Sequence, residues 1–119
     1  GWQDADYSKP QDTFEIYKKA LAEADIKTYT DTITEDSKQM LSERPPQPSR
    51  MGREYQDITG KNYKVTIEDT TAILEFEPTS AIAPPYLFTK ENGKWKIDLK
   101  RMSEEIFFDQ NNHWHWHGK

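Results

Sequence analysis

The chain has 119 residues, a net charge of −5, 31% charged residues and 13% aromatic residues, which fits one ordered, compact domain. The negative balance, without a dense Lys/Arg face, argues against a nucleic-acid partner, and no apolar run approaches the ~20 residues of a transmembrane segment. The chain has no cysteine, which excludes disulfides and thiol catalysis.

The first half of the chain has the period of amphipathic helices. The longest apolar stripe follows Pro10, a residue favoured at the first helical position, and consists of Phe14, Tyr17, Leu21 and Ala24. Asp25 and Thr34 are predicted to cap two shorter helices, the second of which ends before the prolines of residues 45–48. A fourth helix, stopped by Gly60, is predicted from the stripe formed by Met51, Tyr55 and Ile58.

The second half of the chain changes to the alternation that is typical of strands. Three apolar sets alternate with polar residues: Tyr63, Val65 and Ile67; Ala72, Leu74 and Phe76; Trp95, Ile97 and Leu99. A tight turn near residues 69–70 is expected to join the first two strands. Asn92 and Gly93 predict a type I′ turn between a strand with Tyr86 and Phe88 and the last strand. The three apolar sets are expected to share one inner surface against the first helix.

Helices followed by a meander of strands predict an α+β fold, with the N-terminal helices packed on an antiparallel sheet. We expect a polar lead-in at residues 1–9, a domain at 10–101, and an aromatic and histidine-rich extension at 102–119. The start at Gly1, without Met, suggests a processed or engineered end, so the absence of a targeting segment is not evidence for the cytoplasm.

Two segments carry a family resemblance: residues 13–25 (TFEIYKKALAEAD), a first helix that runs into a second, and residues 90–99 (KENGKWKIDL), a final hairpin. With the order of elements, they resemble the nuclear transport factor 2-like superfamily, the cystatin-like cone fold shared with ketosteroid isomerase, scytalone dehydratase and polyketide cyclases. The resemblance implies a strongly curved, cone-shaped sheet with a pocket closed by the first helix. It also implies similarity to small exported bacterial members of unassigned role, and a homodimer.

A pocket of this kind would take its walls from aromatic residues. The predicted ligand-pocket residues are Tyr17, Tyr29, Tyr55, Tyr63, Phe76, Tyr86, Phe88 and Trp95. Such side chains combine apolar walls with polar tips, which suits a small apolar or aromatic ligand. The alternative is that they simply fill the core of a small domain.

Catalysis of the isomerase or dehydratase type needs a buried acid or base inside the pocket. The strand acids Glu68, Glu75, Glu77 and Asp98 all alternate onto the faces opposite the apolar sets. Tyr17, on the first helix, is a candidate hydrogen-bond donor to a ligand carbonyl, with packing in the core as the alternative. The sequence therefore predicts no catalytic residue and no cofactor, and a lyase or isomerase stays the alternative.

The C-terminal extension carries all three histidines of the chain, His113, His115 and His117, alternating with Trp114 and Trp116. Imidazole binds Zn²⁺, Cu²⁺ and Ni²⁺, so a metal site at these histidines is a further alternative. In an extended strand, however, same-face side chains stand ~6.6–6.8 Å apart, too far for three to meet one ion without a bend. The apolar residues 106–108 would instead add a strand or flap to their own domain or bury against a second copy.

The function predicted from the sequence is a non-enzymatic domain that binds a small ligand or a protein partner through the pocket and the C-terminal aromatic segment. Its expected location, from the resemblance, is the periplasm or cell envelope, with the cytoplasm left open.

Overall fold

The computed structural model describes residues 6–118, so most of the predicted lead-in and the last residue of the predicted extension lie outside the described residues. Within that range the chain forms five helices, a four-stranded antiparallel sheet and a two-stranded hairpin, which confirms the α+β fold class. The elements follow in the order α1 (Pro10–Glu23), α2 (Ile26–Asp31), α3 (Glu35–Ser42), α4 (Pro48–Ile58), β1 (Asn62–Glu68), β2 (Thr71–Glu77), β3 (Tyr86–Glu91), β4 (Lys94–Ile97), α5 (Leu99–Glu105), β5 (Ile106–Phe108) and β6 (Trp114–Trp116).

α2 and α3 begin at the caps that the sequence predicts. The Asp25 carboxylate accepts a hydrogen bond from the Thr28 N–H at 3.1 Å, and the Thr34 hydroxyl accepts one from the Ser37 N–H at 3.2 Å. Proline occupies the start of both α1 and α4. Ala24, predicted as the last residue of the α1 stripe, instead adopts a left-handed conformation with φ 52° and ends the helix.

The sheet has the strand order β1-β2-β3-β4 and the register that the alternation predicts. Tyr63 lies opposite Phe76, Val65 opposite Leu74 and Ile67 opposite Ala72, so the apolar sets of β1 and β2 share a face. Both predicted turns are present, with positive φ at Asp69, Asn92 and Gly93. Ile67 lies on the predicted face but is 54% exposed, because it stands near the end of an edge strand.

The end of the sheet differs from the prediction. β4 stops at Ile97, and Leu99, predicted as a strand residue, begins α5. The cause is Asp98, whose carboxylate accepts hydrogen bonds from the Arg101 N–H at 3.0 Å and the Thr89 hydroxyl at 2.7 Å and so caps a helix. Asp98 lies on the side away from the apolar sets, as predicted, but it is buried there.

The outer side of the sheet is covered by α5 and the β5–β6 hairpin. Leu87, between the inward-facing Tyr86 and Phe88, is buried as a result. The hairpin is attached through the Trp114 indole N–H, which donates to the Ser80 carbonyl at 2.6 Å, and through the His117 N–H, which donates to the Glu105 carbonyl at 2.8 Å. Residues 106–108 therefore add a strand to their own domain. The division between residues 101 and 102 falls inside α5 and stays a prediction.

α1 lies across the inner face of the sheet and closes the core. The fully buried Phe14 ring meets Tyr63, Phe76 and Tyr86 edge-on, with ring centroids 5.2, 6.1 and 5.1 Å apart. The helical half is also tied to β4, because Ile33 bridges Ile97 in parallel. No helix in the described part of the chain is long and apolar enough to cross a bilayer.

Candidate functional site

A cleft of about 670 Å³ opens beside α4, and its size falls in the range of small-molecule sites. Its walls come from α1, α4, the segment before β3, β3 itself, α5 and the C-terminal hairpin with its turn. The residues that line it are Tyr17, Arg50, Arg53, Glu54, Asp57, Ile58, Ile82, Ala83, Pro84, Tyr86, Leu99, Met102, Phe108 and Asn112. The helical and sheet halves of the chain thus meet at this cleft.

Glu54 is an acid placed on the buried side of α4. Met51 and Ile58 anchor this helix in the core. Glu54 lies three residues after Met51 and four residues before Ile58. Such spacing puts all three side chains on one helix face. The docking of Met51 and Ile58 therefore turns the Glu54 carboxylate toward α1 and β3.

Two buried tyrosines converge on one oxygen of that carboxylate. The Tyr17 hydroxyl, from α1, and the Tyr86 hydroxyl, from β3, each donate to Glu54 Oε2 at 2.5 Å. The two phenol rings are themselves in edge contact, with centroids 5.6 Å apart. Three separate elements of the fold therefore fix the position of one carboxylate group.

The pKa of Glu54 is raised above its ordinary value of 4.5. Burial of the carboxyl group is the main cause; the two tyrosine hydrogen bonds act against it, and the nearby negative charge of Asp57 adds to it. Glu54 as a residue is only partly buried, but its carboxyl group is the desolvated part. Burial also raises the pKa of Tyr17 and Tyr86 well above 10, so both remain neutral donors.

The second oxygen of the carboxylate, Oε1, belongs to a residue that lines the cleft. Among residues 6–118, no donor reaches Glu54 Oε1. The enclosed side-chain polar atoms without a partner in this range are Gln11 Oε1 and Arg101 Nη1, so Glu54 Oε1 is not fully enclosed. The group can therefore accept a hydrogen bond from a molecule in the cleft, or take a proton from it.

Of the eight predicted pocket residues, the structure brings Tyr17 and Tyr86 to the cleft. Tyr29 stacks behind Tyr17, with ring centroids 5.2 Å apart, and Tyr55 packs on the core from α4. The other four lie in the core or along its edge: Tyr63, Phe76, Phe88 and Trp95. These six residues fill the domain outside the cleft. This agrees with the alternative prediction, in which the aromatic residues fill the core of a small domain.

The C-terminal histidines are arranged along the hairpin. His115 hydrogen-bonds to Asp109 at 2.7 Å, and the rings of His115 and His117 both lie against Phe107, with centroids 5.2 and 4.9 Å away. His113 precedes β6. Within residues 6–118, no group of three His, Asp or Glu side chains is placed to hold a metal ion. Metal binding by the histidines stays a prediction.

The sequence-based prediction did not include Glu54, because the acids it considered lie in the predicted strands. The signal was present in the helical stripe, since Glu54 occupies a position between Met51 and Ile58 where the amphipathic pattern expects an apolar residue. A charged residue at such a position needs partners or a solvent-filled cleft. The pattern of α4 therefore identifies Glu54 as a candidate site residue. Its tyrosine partners, in contrast, depend on the packing of three elements.

No family model, no curated protein and no solved structure matches the chain.

Proposed function

We propose that the chain is a binding domain that takes a small organic molecule into the Glu54 cleft. The observation that carries the proposal is the Glu54 carboxylate, with one oxygen fixed by Tyr17 and Tyr86 and the other without a hydrogen-bond partner among residues 6–118. A ligand hydroxyl or amine would donate to Oε1. The apolar residues of the cleft would cover the rest of the ligand.

The position of the tyrosines favours binding over chemistry. An isomerase or dehydratase uses a donor that polarises the substrate carbonyl while a separate base moves the proton. Here the hydroxyls of Tyr17 and Tyr86 are both directed at Glu54 rather than into the cleft. They hold the carboxylate in place as a fixed hydrogen-bond acceptor. Such an acceptor favours ligands that carry a hydrogen-bond donor over ligands that lack one.

The test is a fragment titration followed by amide NMR of the full chain. Aromatic fragments that bear a hydroxyl or amine are expected to shift the resonances of α4 and of residues 82–86. They should bind more weakly to Glu54→Gln, which places an amide donor where Oε1 accepts. Fragments that leave the cleft resonances unmoved, or that bind both proteins equally, would refute the proposal.

A second candidate function is proton transfer by Glu54, favoured by its raised pKa and by the oxygen that has no hydrogen-bond partner among the described residues. Oε1 would take a proton from the carbon next to a carbonyl, the C–H electron pair would move into the enolate, and the proton would return to another carbon. Loss of such a base typically lowers the rate about 10²–10⁴-fold. Deuterium exchange into simple ketones in D₂O, compared between the native chain and Glu54→Gln, measures this step.

The kinship to the nuclear transport factor 2-like superfamily is part of the same proposal. It is supported by the order of helices and strands in α1 to β4 and by the β3–β4 hairpin with its turn at residues 92–93. Export and homodimer formation follow from that resemblance and are proposals with it.

A further inference from the structure

The mouth of the cleft carries two arginines. Arg50 and Arg53 lie on the exposed side of α4, at its N-terminal part, and both line the cleft. In the described part of the chain, no acid lies within ion-pair distance of either guanidinium; the ion pairs there involve other residues. Both guanidinium groups therefore keep their donors available for a ligand.

The charge of the cleft differs from that of the whole chain. Two cations, Arg50 and Arg53, and two acids, Glu54 and Asp57, line it, so its charges balance, whereas the chain as a whole carries −5. An anion is therefore accepted better here than over the rest of the acidic surface. Since Glu54 and Asp57 would repel a second negative charge, a monoanion fits better than a dianion.

The wall next to the hairpin is apolar and partly uncovered. Ile82 and Phe108 are 40% and 48% exposed, and both line the cleft together with Leu99 and Met102. Large apolar side chains left open in a cleft are typical of ligand-binding surfaces. The ligand must therefore have an apolar body as well as polar ends.

On the basis of the proposed function above, we infer that the ligand is an amphipathic organic monoanion. Its carboxylate pairs with Arg50 and Arg53, its apolar body lies on Ile82 and Phe108, and a hydroxyl at its other end donates to Glu54 Oε1. Arg50 precedes Glu54 by four residues in α4, about 6 Å along the helix axis. The two polar ends of the ligand are thus separated, as in a hydroxylated bicyclic aromatic acid.

The test compares three probes of one size and different charge: 6-hydroxy-2-naphthoate, its primary amide and the corresponding aminomethyl compound. Each is titrated into the full chain and followed by amide NMR at the cleft resonances. The carboxylate is expected to bind about tenfold more tightly than the amide, because a guanidinium–carboxylate pair is stronger than a neutral contact. The amine is expected to bind most weakly.

Two charge variants separate the cleft arginines from general charge. Arg50→Gln/Arg53→Gln is expected to abolish the preference for the carboxylate while the amide binds as before. Arg44→Gln removes a positive charge outside the cleft and is expected to keep the preference. All three positions are exposed, so the variants should remain folded, which the dispersion of the amide spectrum verifies.

The inference is overturned if the carboxylate does not bind, if the amide or amine binds as tightly at the cleft resonances, or if Arg44→Gln acts like the double variant. Binding by the amide or amine alone would leave the proposed function intact and refute only the anionic class. The proposed function is decided separately, by the response of neutral donors to Glu54→Gln.

Discussion

At the scale of single residues, the properties of Glu54 result from opposing effects. Burial and the charge of Asp57 favour the protonated form, whereas the hydrogen bonds from Tyr17 and Tyr86 favour the carboxylate. The raised pKa shows that burial exceeds the hydrogen bonds.

Glu54→Gln is expected to change how stability depends on pH. Because the pKa of Glu54 is raised in the folded state, the unfolded chain loses this proton first as pH rises above about 4.5, and the native chain loses stability over that window. Glutamine does not titrate, and its carbonyl can still accept from both tyrosines. The variant should thus gain stability relative to the native chain between pH 4 and pH 7.

Urea unfolding at both pH values measures this difference, and the other acids cancel because both proteins contain them. If the free energy of unfolding of the native chain increases relative to that of the variant as the pH rises, the raised pKa of Glu54 is contradicted.

Tyr17→Phe is expected to lower the free energy of unfolding by about 1.5–3 kcal/mol at pH 7, since it removes a hydrogen bond to a charged group. The loss should be smaller at pH 4, where Glu54 is protonated to a greater extent. Tyr55→Phe, in the same core but without a hydrogen bond from its hydroxyl in the described structure, is the matched control and should cost little. Equal losses for the two variants would exclude the role given to the Tyr17 hydroxyl.

At the scale of elements, two glycines are expected to respond in opposite directions to alanine. Gly52 lies inside α4 with open space around it, so Gly52→Ala should stabilise the chain by about 0.5–1 kcal/mol. Gly93 has φ 78° in the β3–β4 turn, so Gly93→Ala should destabilise it by about 1–2 kcal/mol. Thermal unfolding of both variants measures whether each substitution raises or lowers the stability. A stabilising Gly93→Ala would show that the turn does not need its left-handed conformation.

The cap of α5 determines where the sheet ends. Asp98→Ala is expected to cost about 1–2 kcal/mol, because it leaves the Arg101 N–H and the Thr89 hydroxyl without their acceptor. Asp36→Ala, at an exposed position in the first turn of α3, serves as the control and should stay within about 0.5 kcal/mol. If the two variants lose equal stability in urea, the burial of Asp98 has no energetic consequence.

At the scale of the whole molecule, the sequence predicts features that depend on residues close together in the chain, and it does not predict features that depend on residues far apart in it. The caps at Asp25 and Thr34, the turn at Asn92 and the shared face of the apolar sets of β1 and β2 depend on short stretches of chain, and they are confirmed. The end of β4 was wrong because a cap at Asp98 competes with the strand alternation, and both patterns fit the same residues.

The candidate site depends on longer-range packing. Tyr17 was predicted as a donor to a ligand, whereas its acceptor, Glu54, lies 37 residues away, on another helix. The cleft also includes Phe108 and Asn112, from the segment that the sequence assigned to an extension. No local pattern encodes the way α1, α4, β3 and the hairpin meet, so the aromatic residues were predicted and their arrangement around an acid was not.

The most direct test of this account is the pKa of Glu54 itself, measured by ¹³C NMR of its side-chain carboxyl, assigned by its absence from Glu54→Gln. The account predicts a titration above 4.5 that moves further upward in Tyr17→Phe, because a hydrogen bond that favours the carboxylate has been removed. A Glu54 that titrates at or below 4.5, with the same midpoint in Tyr17→Phe, would contradict it.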